Sequence, residues 1–480
     1  MENIFEAKKK KFLELSFSDS YSTTHTLEEA QLLPVGTENV SVAGRVVSLR
    51  ILGKLLFAVI QDIFGRLQIA VKVKDENSET FQLFKENVSV GDFVGVKGKL
   101  FLTRTEELTL DVDSFKFLNK ALRPLPEKYH GMENQELIYR QRYLDVITNL
   151  ESRNLFQKRL LIQREMRRFF EDNGFAEVET PILQNVASGA LAKPFYTAHN
   201  ALDISCVLRI APETYLKRYI GAGFPRVYEF AKCFRNEGIS TVHLQEFTML
   251  EFYASYWNSE NMRDYVERLA RHIIFTVLDL KQLVIDGVEV SLEDGHWEII
   301  KYLDLIKKHT DIDLDQFKDS QSLFDEIKRK DIHVEGITPK THWFQMVDSL
   351  YKKKCRPFLI KPCFIVDYPM ELGPLSRRKP NDPTKVDFFQ FIIGGVELAK
   401  GYSELVDPLD QEQRFIVQQK ARDEGDTEAM PLDKEYLLAM EHGFPPIAGC
   451  GIGIDRFIMT LLNCDNIKDT LLFPLLRPVE

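Results

Sequence analysis

Between residues 40 and 119 apolar and polar positions alternate in five short runs, VSVAGRVVSLR, KLLFAVIQD, GRLQIAVKV, GDFVGVKGKLFLTRT and ELTLDVDSFKFL. Alternation of this kind marks half-buried strands, and the turn residues at 63–65 and 90–92 separate them as in a small antiparallel barrel. A stretch rich in proline and charge follows at 122–149, where Pro124 and Pro126 forbid a regular helix and predict an extended crossing between domains. From Glu151 onward helical and strand patterns mix. The period of apolar residues predicts helices over 262–278 and 320–330, and a late helix opened by a Gly-rich turn within 448–459. Residues 227–234 and 246–253 read as two strands of one hairpin joined by a long loop. The segment 279–361 carries no motif with a chemical reading.

With 480 residues, 44% of them hydrophobic and 28% charged, the chain suits a globular protein of more than one core. The organisation expected is an N-terminal helical segment and barrel at 1–121, a linker at 122–149 and an α+β domain at 150–480. Five strands in the first of these fit an OB-fold, a module that often binds oligonucleotides. No run approaches the roughly 20 apolar residues of a membrane span, and the N-terminus, basic but without an apolar h-region, lacks the pattern of a secretory signal. A cytoplasmic location is therefore expected. Six cysteines without a CxxC pair argue against a zinc knuckle or a disulfide framework. A formal net charge of −10 excludes a globally basic nucleic-acid binder, so any nucleic acid must be held by a local surface.

The hairpin carries the chemistry. Its first strand ends on Arg235, whose planar fork of donors suits phosphate or carboxylate oxygens, and Phe247 on the second strand offers a face for a purine. Further on, AGCGIGIDRFIM places three glycines before an Asp-Arg pair and an apolar run. Glycine lets a backbone approach a ligand closely, and Arg456 falls at the start of a helix, where N–H groups attract anions.

These two segments resemble the second and third signature motifs of class II aminoacyl-tRNA synthetases, FRxE and GxGxDR, matched by residues 234–237 and 451–456. The first motif of that family, closing on a dimer-interface proline, is similar to residues 153–181 and implies Pro181 at the interface of a homodimer. RPLPEKYHG, YRQRYLD, RIAPETYLKR, EFTMLEFY and GYSEL resemble the lysyl-tRNA synthetases in particular. The resemblance implies an OB-fold followed by a catalytic domain built on an antiparallel sheet flanked by helices. It also implies activation of L-lysine with ATP, with Mg²⁺ as cofactor, and transfer of the lysine to tRNA(Lys).

Carried over position by position, Arg235 and Arg456 are the expected catalytic arginines at the α- and γ-phosphates. Glu237 is expected at the adenine amino group, Phe247 on the ring and His243 at the phosphate tail. Asn236, Leu244, Leu398 and Gly453 complete the ATP site, and Glu397 is the expected Mg²⁺ carboxylate. For the amino acid, Gly189 and Glu213 would meet the α-ammonium, and Glu404 with the Tyr253 hydroxyl would hold the ε-ammonium, with Glu251 within reach. Arg50, Phe57 and Gln68 match the positions expected to read the central anticodon uridine. Four positions depart from the family pattern: Lys400 for Asn facing the substrate carboxylate, Gln390 for a second metal-binding Glu, Leu244 for Asn and Ser188 for Gly. An aspartyl- or asparaginyl-type enzyme would need a cation facing the side-chain pocket, and a non-catalytic RNA-binding paralogue typically loses a phosphate arginine.

Overall fold

The computed structural model describes residues 2–73, 79–126, 132, 134–285, 287–292, 295–425 and 428–479. Residues 127–131 of the linker, including the end of RPLPEKYHG, lie outside these. The chain divides into two compact units, Met1–Gln157 with Leu472–Glu480, and Lys158–Leu471.

In the first unit β1 (Val40–Leu52), β2 (Leu55–Gln61), β3 (Arg66–Lys72), β4 (Phe93–Leu102) and β5 (Leu108–Asn119) close a barrel in the order β1-β2-β3-β5-β4. The alternating pattern explains the closure: Leu56, Ala58 and Ile60 of β2 and Val40, Val42 and Val46 of β1 point inward and are fully or almost fully buried. One pairing departs from the all-antiparallel expectation. β3 and β5 run parallel, because the chain crosses over between β3 and β4 through the helix Glu79–Asn87, which buries Phe81 and Phe84 against the barrel. The linker also departs from its expected form. Once past the two prolines it folds into the short helices Gln135–Arg140, capped by the Asn134 side chain, and Arg142–Thr148. Arg142 and Asp145 are buried there as an ion pair at 3.3 Å.

The second unit holds β6 (Ala176–Glu177), β7 (Leu183–Gln184), β8 (Phe195–His199), β9 (Ile204–Leu208), β10 (Arg226–Phe234) and β11 (Glu246–Ser255). It continues with β12 (Gln282–Ile285), β13 (Val288–Ser291), β14 (Glu298–Lys301), β15 (Cys363–Pro369), β16 (Arg378–Lys379), β17 (Asp382–Ile393), β18 (Val396–Ser403) and β19 (Ile447–Gly453). The main sheet runs β14-β15-β17-β18-β19-β11-β10-β6, with β16 beside β17. Its centre is antiparallel, and among the described residues its parallel pairs lie at its two ends, β14 with β15 and β6 with β10. One face is apolar: Leu250, Phe252, Phe389, Phe391, Cys450 and Ile452 form a core with Met166 and Phe170 of the helix Leu150–Asp172 and with Met262 and Tyr265 of the helix Ser259–Arg271.

The expected helices are present as Ser259–Arg271, continued by a π turn at His272–Val277, and as Ser320–Arg329. The Gly-rich segment differs from expectation. It is the inner strand β19, and the helix starts only at Ile454. The unread segment contributes the hairpin β12–β13, the edge strand β14 and three helices whose Tyr302, Ile306, Leu323 and Met346 make a second core with Ile365 and Phe388. Five of the six cysteines are buried.

Candidate active site

Period two in the strands puts the chemistry on the face of the sheet opposite the main core. Along β11, Met249, Glu251 and Tyr253 stand opposite Gly453, Gly451 and Gly449 of β19, and on the other side of β19 Lys400 and Tyr402 stand opposite Gly451 and Gly449. The alternate glycines thus make a floor without side chains between two strands that carry functional ones. A Cβ at Gly449 would overlap both the Tyr253 ring and the Glu404 carboxylate. This explains why the motif is a strand and still rich in glycine.

Over that floor lies a buried acidic pocket. Glu213 opens the helix Glu213–Gly221, and its Oε1 accepts from the Tyr402 hydroxyl at 2.7 Å and from Lys217 Nζ at 2.6 Å. Lys217, one helical turn on and fully buried, also makes an ion pair with Glu404 Oε2. Tyr253 donates to Glu251 Oε1 at 2.6 Å. Glu251 Oε2 and both Glu404 oxygens have no hydrogen-bond partner among the described residues, and of these only Glu404 Oε2 meets an ion-pair partner, Lys217. Gly189, at φ +92°, packs against Glu213: a Cβ there would come within 3.1 Å of the Glu213 Cβ. The sequence reading brought Glu213, Glu251, Tyr253 and Glu404 together and missed Lys217 and Tyr402. Both carried a signal, Lys217 at i+4 from Glu213 on a helix and Tyr402 midway between Lys400 and Glu404 at strand spacing.

Burial, and next the Glu213 charge, push the Glu251 carboxyl up to about 8 against the Tyr253 hydrogen bond and the Lys217 charge, which pull the other way. The folded protein therefore binds a proton here that the unfolded chain releases at lower pH. Its stabilising contribution is complete below the ordinary carboxylate range and is lost as pH rises through about 8. Glu251→Gln, which cannot titrate, is expected to gain stability relative to the parent as pH rises from 4.5 to 8. Thermal unfolding of both proteins across that range checks it; a difference independent of pH would refute the assignment. Burial also pushes Glu404 up, opposed by Lys217. Lys217 itself is held well above the usual range, since Glu213 and Glu404 outweigh its burial. Its ammonium is in contact with both carboxylates.

The other end of the cleft is cationic. Arg235 follows β10, its N–H donating to Gln245 O at 2.8 Å to close the hairpin loop, and its guanidinium lies 5.1 Å from the Phe247 ring centre. The buried Arg235 Nε has no partner among the described residues. Asn236 donates its N–H to Lys193 O at 2.7 Å, and Glu237 is exposed in the loop. Arg456, in the first turn of the helix Ile454–Leu461 just after Gly453, donates from Nε to Val242 O at 3.0 Å and so braces the same loop. Asp455 accepts from Thr248 N at 2.8 Å and pairs with Arg159 at 2.8 Å, tying this helix to β11. His243 shares a 2.7 Å hydrogen bond with Ser240 Oγ. Its burial and the nearby Arg456 and Arg356 lower its pKa to about 4, so it is neutral at pH 7. Leu244 is half-buried in the loop. The Leu398 side chain packs in the core on the far face of the sheet, which leaves its backbone as the part able to meet a ligand.

Glu397 Oε2 accepts from Gln390 Nε2 at 2.7 Å, and Gln390 Oε1 in turn accepts from Tyr351 and Tyr368, each at 2.8 Å. Burial pushes Glu397 up, but Lys400, Arg456, Arg356 and Lys352 outweigh it and hold the carboxyl below its usual range. Lys400 Nζ lies 5.0 Å from the Phe388 ring centre, its pKa lowered by burial against the pull of Glu397 and Glu213. Lys352 and Arg356 belong to the unread segment, where the basic run KKKCR was the only sign of them. Among the described residues no group of three or more His, Cys, Asp or Glu is placed to hold a metal ion by itself. One ionised carboxylate beside a cluster of cations fits Mg²⁺ that arrives with phosphate oxygens.

On the barrel, Arg50 and Phe57 are direct cross-strand partners. Gln68 lies diagonally across, two residues from the Ala70 that faces Phe57, so all three share the outer face. Arg50 is exposed and Phe57 half-buried, while Gln68 is buried and donates to Thr109 Oγ1 at 2.9 Å. Pro181 is exposed beside Ile182 and Leu183, which are 44% and 50% exposed.

The sheet thus brings two arginines and a buried acidic pocket to one site, and comparison with known proteins gives its class, an aminoacyl-tRNA synthetase. The family model for tRNA synthetases class II (D, K and N) matches residues 134–477, and that for the OB-fold nucleic acid binding domain matches residues 40–118. The chain belongs to the class II tRNA synthetases. Within the family it is similar to the lysine–tRNA ligase of Pelotomaculum thermopropionicum, 43% identical over 97% of this chain and 92% of that one. The lysine–tRNA ligase of Escherichia coli K12 is 42% identical over 97% and 94%, and that of Aquifex aeolicus 44% over 92% and 73%.

Proposed function

We propose that this chain is a lysine–tRNA ligase. The observation that carries the reading is the pair of unpartnered buried oxygens, Glu251 Oε2 and Glu404 Oε1, beside the Tyr253 hydroxyl at the closed end of the cleft. Buried carboxylates without partners are costly, and a substrate ammonium relieves that cost. Glu213 and the Gly189 backbone then receive the α-ammonium, which directs the lysine carboxylate toward Arg235.

In the first step a carboxylate oxygen of lysine attacks the α-phosphorus of ATP, and pyrophosphate leaves with lysyl-adenylate formed. In the second, a ribose hydroxyl at the 3′ end of tRNA(Lys) attacks the carbonyl carbon, and AMP leaves. The residues act by positioning and by charge, with no protein nucleophile. Arg235 neutralises the developing charge at the α-phosphate, Arg456 holds the γ-phosphate, and Phe247 stacks on adenine beside Glu237. Neutral His243 contributes a hydrogen bond to the phosphate tail and no charge. Mg²⁺, held by Glu397, supplies further charge neutralisation to the phosphates when bound. Gln390 spends its amide on Glu397, and so a single tightly held ion suits this site. The barrel face with Arg50, Phe57 and Gln68 would stack and hydrogen-bond an unpaired anticodon base. Exposed Ile182 and Leu183 beside Pro181 support a homodimer through that surface. No helix of the described residues is long and apolar enough to cross a membrane, which suits a cytoplasmic enzyme.

ATP–pyrophosphate exchange with each of the twenty amino acids, Mg²⁺ present and tRNA absent, tests the reading. Exchange with lysine is expected; exchange with aspartate or asparagine would overturn it. Lys400→Asn is expected to keep lysine activation within about tenfold, roughly 1.4 kcal/mol of transition-state energy, because Arg235 already faces the substrate carboxylate. A collapse of kcat in that variant would show Lys400 to be a working ligand.

A further inference from the structure

The acidic pocket already contains an ammonium. Lys217 has 0% of its side chain exposed, and both of its ion-pair partners, Glu213 and Glu404, are groups assigned above to the substrate. The rings of Tyr402 and Tyr436 flank its Nζ at 5.7 and 5.8 Å from their centres, a favourable setting for a desolvated cation. The geometry points to Lys217 as a resident ammonium of the amino-acid pocket, a positioning residue that presets the carboxylates for the two ammonium groups a diamino acid brings. The inference rests on the lysine reading of the site and deepens it.

The argument is one of charge and of oxygens. Lys217 and Tyr402 occupy Glu213 Oε1, Lys217 occupies Glu404 Oε2, and Tyr253 occupies Glu251 Oε1. Glu251 and Glu404 thereby each keep one oxygen in contact with a protein group and one without a partner among the described residues, while Glu213 is held at Oε1. Three carboxylates clustered in a dry pocket would repel one another and take up protons. One internal ammonium bridges Glu213 and Glu404 and orients them before any ligand arrives. The three acids are then balanced in full by Lys217 together with the α- and ε-ammonium groups of one substrate. An amino acid with a single ammonium would leave one of the three acids without a counterion, either protonated or unpaired, and so without the second ion pair. A cation in the pocket therefore does not make it a site for acidic side chains, because both of its neighbours already neutralise it.

Lys217→Met keeps the apolar stem and removes the charge. The KM for lysine in pyrophosphate exchange is expected to rise at least about 30-fold, about 2 kcal/mol at 1.4 kcal/mol per decade, while the KM for ATP stays within about threefold. The acidic limb of kcat/KM for lysine is expected to move up by about one pH unit or more, since Glu213, Glu404 and Glu251 would then face one another among Tyr253, Tyr402, Tyr436, Cys450 and Glu229 with its partner Arg209, with Lys400 and Arg235 further off. A folded variant with unchanged lysine KM and an unmoved limb would overturn the inference. Should the variant fail to fold, the unmodified protein decides. Lysine titrated calorimetrically at pH 7 in buffers of different ionisation enthalpy should release no more than one proton per lysine, from Glu251. Release of two or more would show that the carboxylates are not preset. Failure of the lysine reading looks different: no binding heat with lysine, and exchange with another amino acid, which would remove the inference along with it.

Discussion

Arg235→Gln is expected to lower lysine-dependent ATP–pyrophosphate exchange by at least about a thousandfold, about 4 kcal/mol of transition-state stabilisation. The guanidinium stands at the exit of β10, backed by the Phe247 ring, and its buried Nε has no acceptor among the described residues. A donor held in this way is poised for charge that develops on a ligand. Neither neighbouring cation can replace it. Arg456 spends its Nε on Val242 O in the hairpin loop, and Lys400 lies over Phe388 and is drawn to Glu397 and Glu213. Removing Arg235 breaks no protein ion pair that the structure shows, and so the variant is expected to melt within a few degrees of the parent. Calorimetric melting together with exchange kinetics separates the two effects. A folded variant that loses less than tenfold would place the α-phosphate elsewhere.

The parts legible in the sequence were those whose physics is local. Strand alternation exposed the barrel and the hairpin, and Arg235 at a strand end declared itself because an arginine there has few structural uses. What remained hidden depended on which elements become neighbours. The glycines at 449, 451 and 453 read as a turn, since the sequence alone does not reveal that β11 and β18 carry Tyr253, Glu251, Lys400 and Tyr402 to either side of them. Lys217 reads as one more helical lysine until Glu404, far along the chain, is brought against it. Lys352 and Arg356 sit in a segment with no motif and act on Glu397 and His243 through space. The linker was misread because two prolines were allowed to speak for residues well beyond them, where Asn134 caps a new helix.

Glu404→Gln keeps the shape of the side chain and removes its charge, and it is expected to raise the KM for lysine at least about a hundredfold, about 2.7 kcal/mol. Two losses combine. The substrate ε-ammonium loses its ionised acceptor at Glu404 Oε1, and Lys217 is left with Glu213 alone, so its ammonium competes for the carboxylate meant for the α-ammonium. The KM for ATP is expected to hold, since none of Arg235, Arg456, Phe247 or Glu397 is bonded to Glu404. The same reasoning fixes how this change combines with Lys217→Met. If Lys217 acts through Glu404 and Glu213, the double variant should lose less than the product of the single losses, because the second change removes a charge that the first has already left without its counterion. Pyrophosphate exchange with lysine across the four proteins measures this. Losses that simply multiply would mean that the two residues serve the substrate independently, and a Glu404→Gln protein with an unchanged lysine KM would move the ε-ammonium to Glu251 and Tyr253 alone.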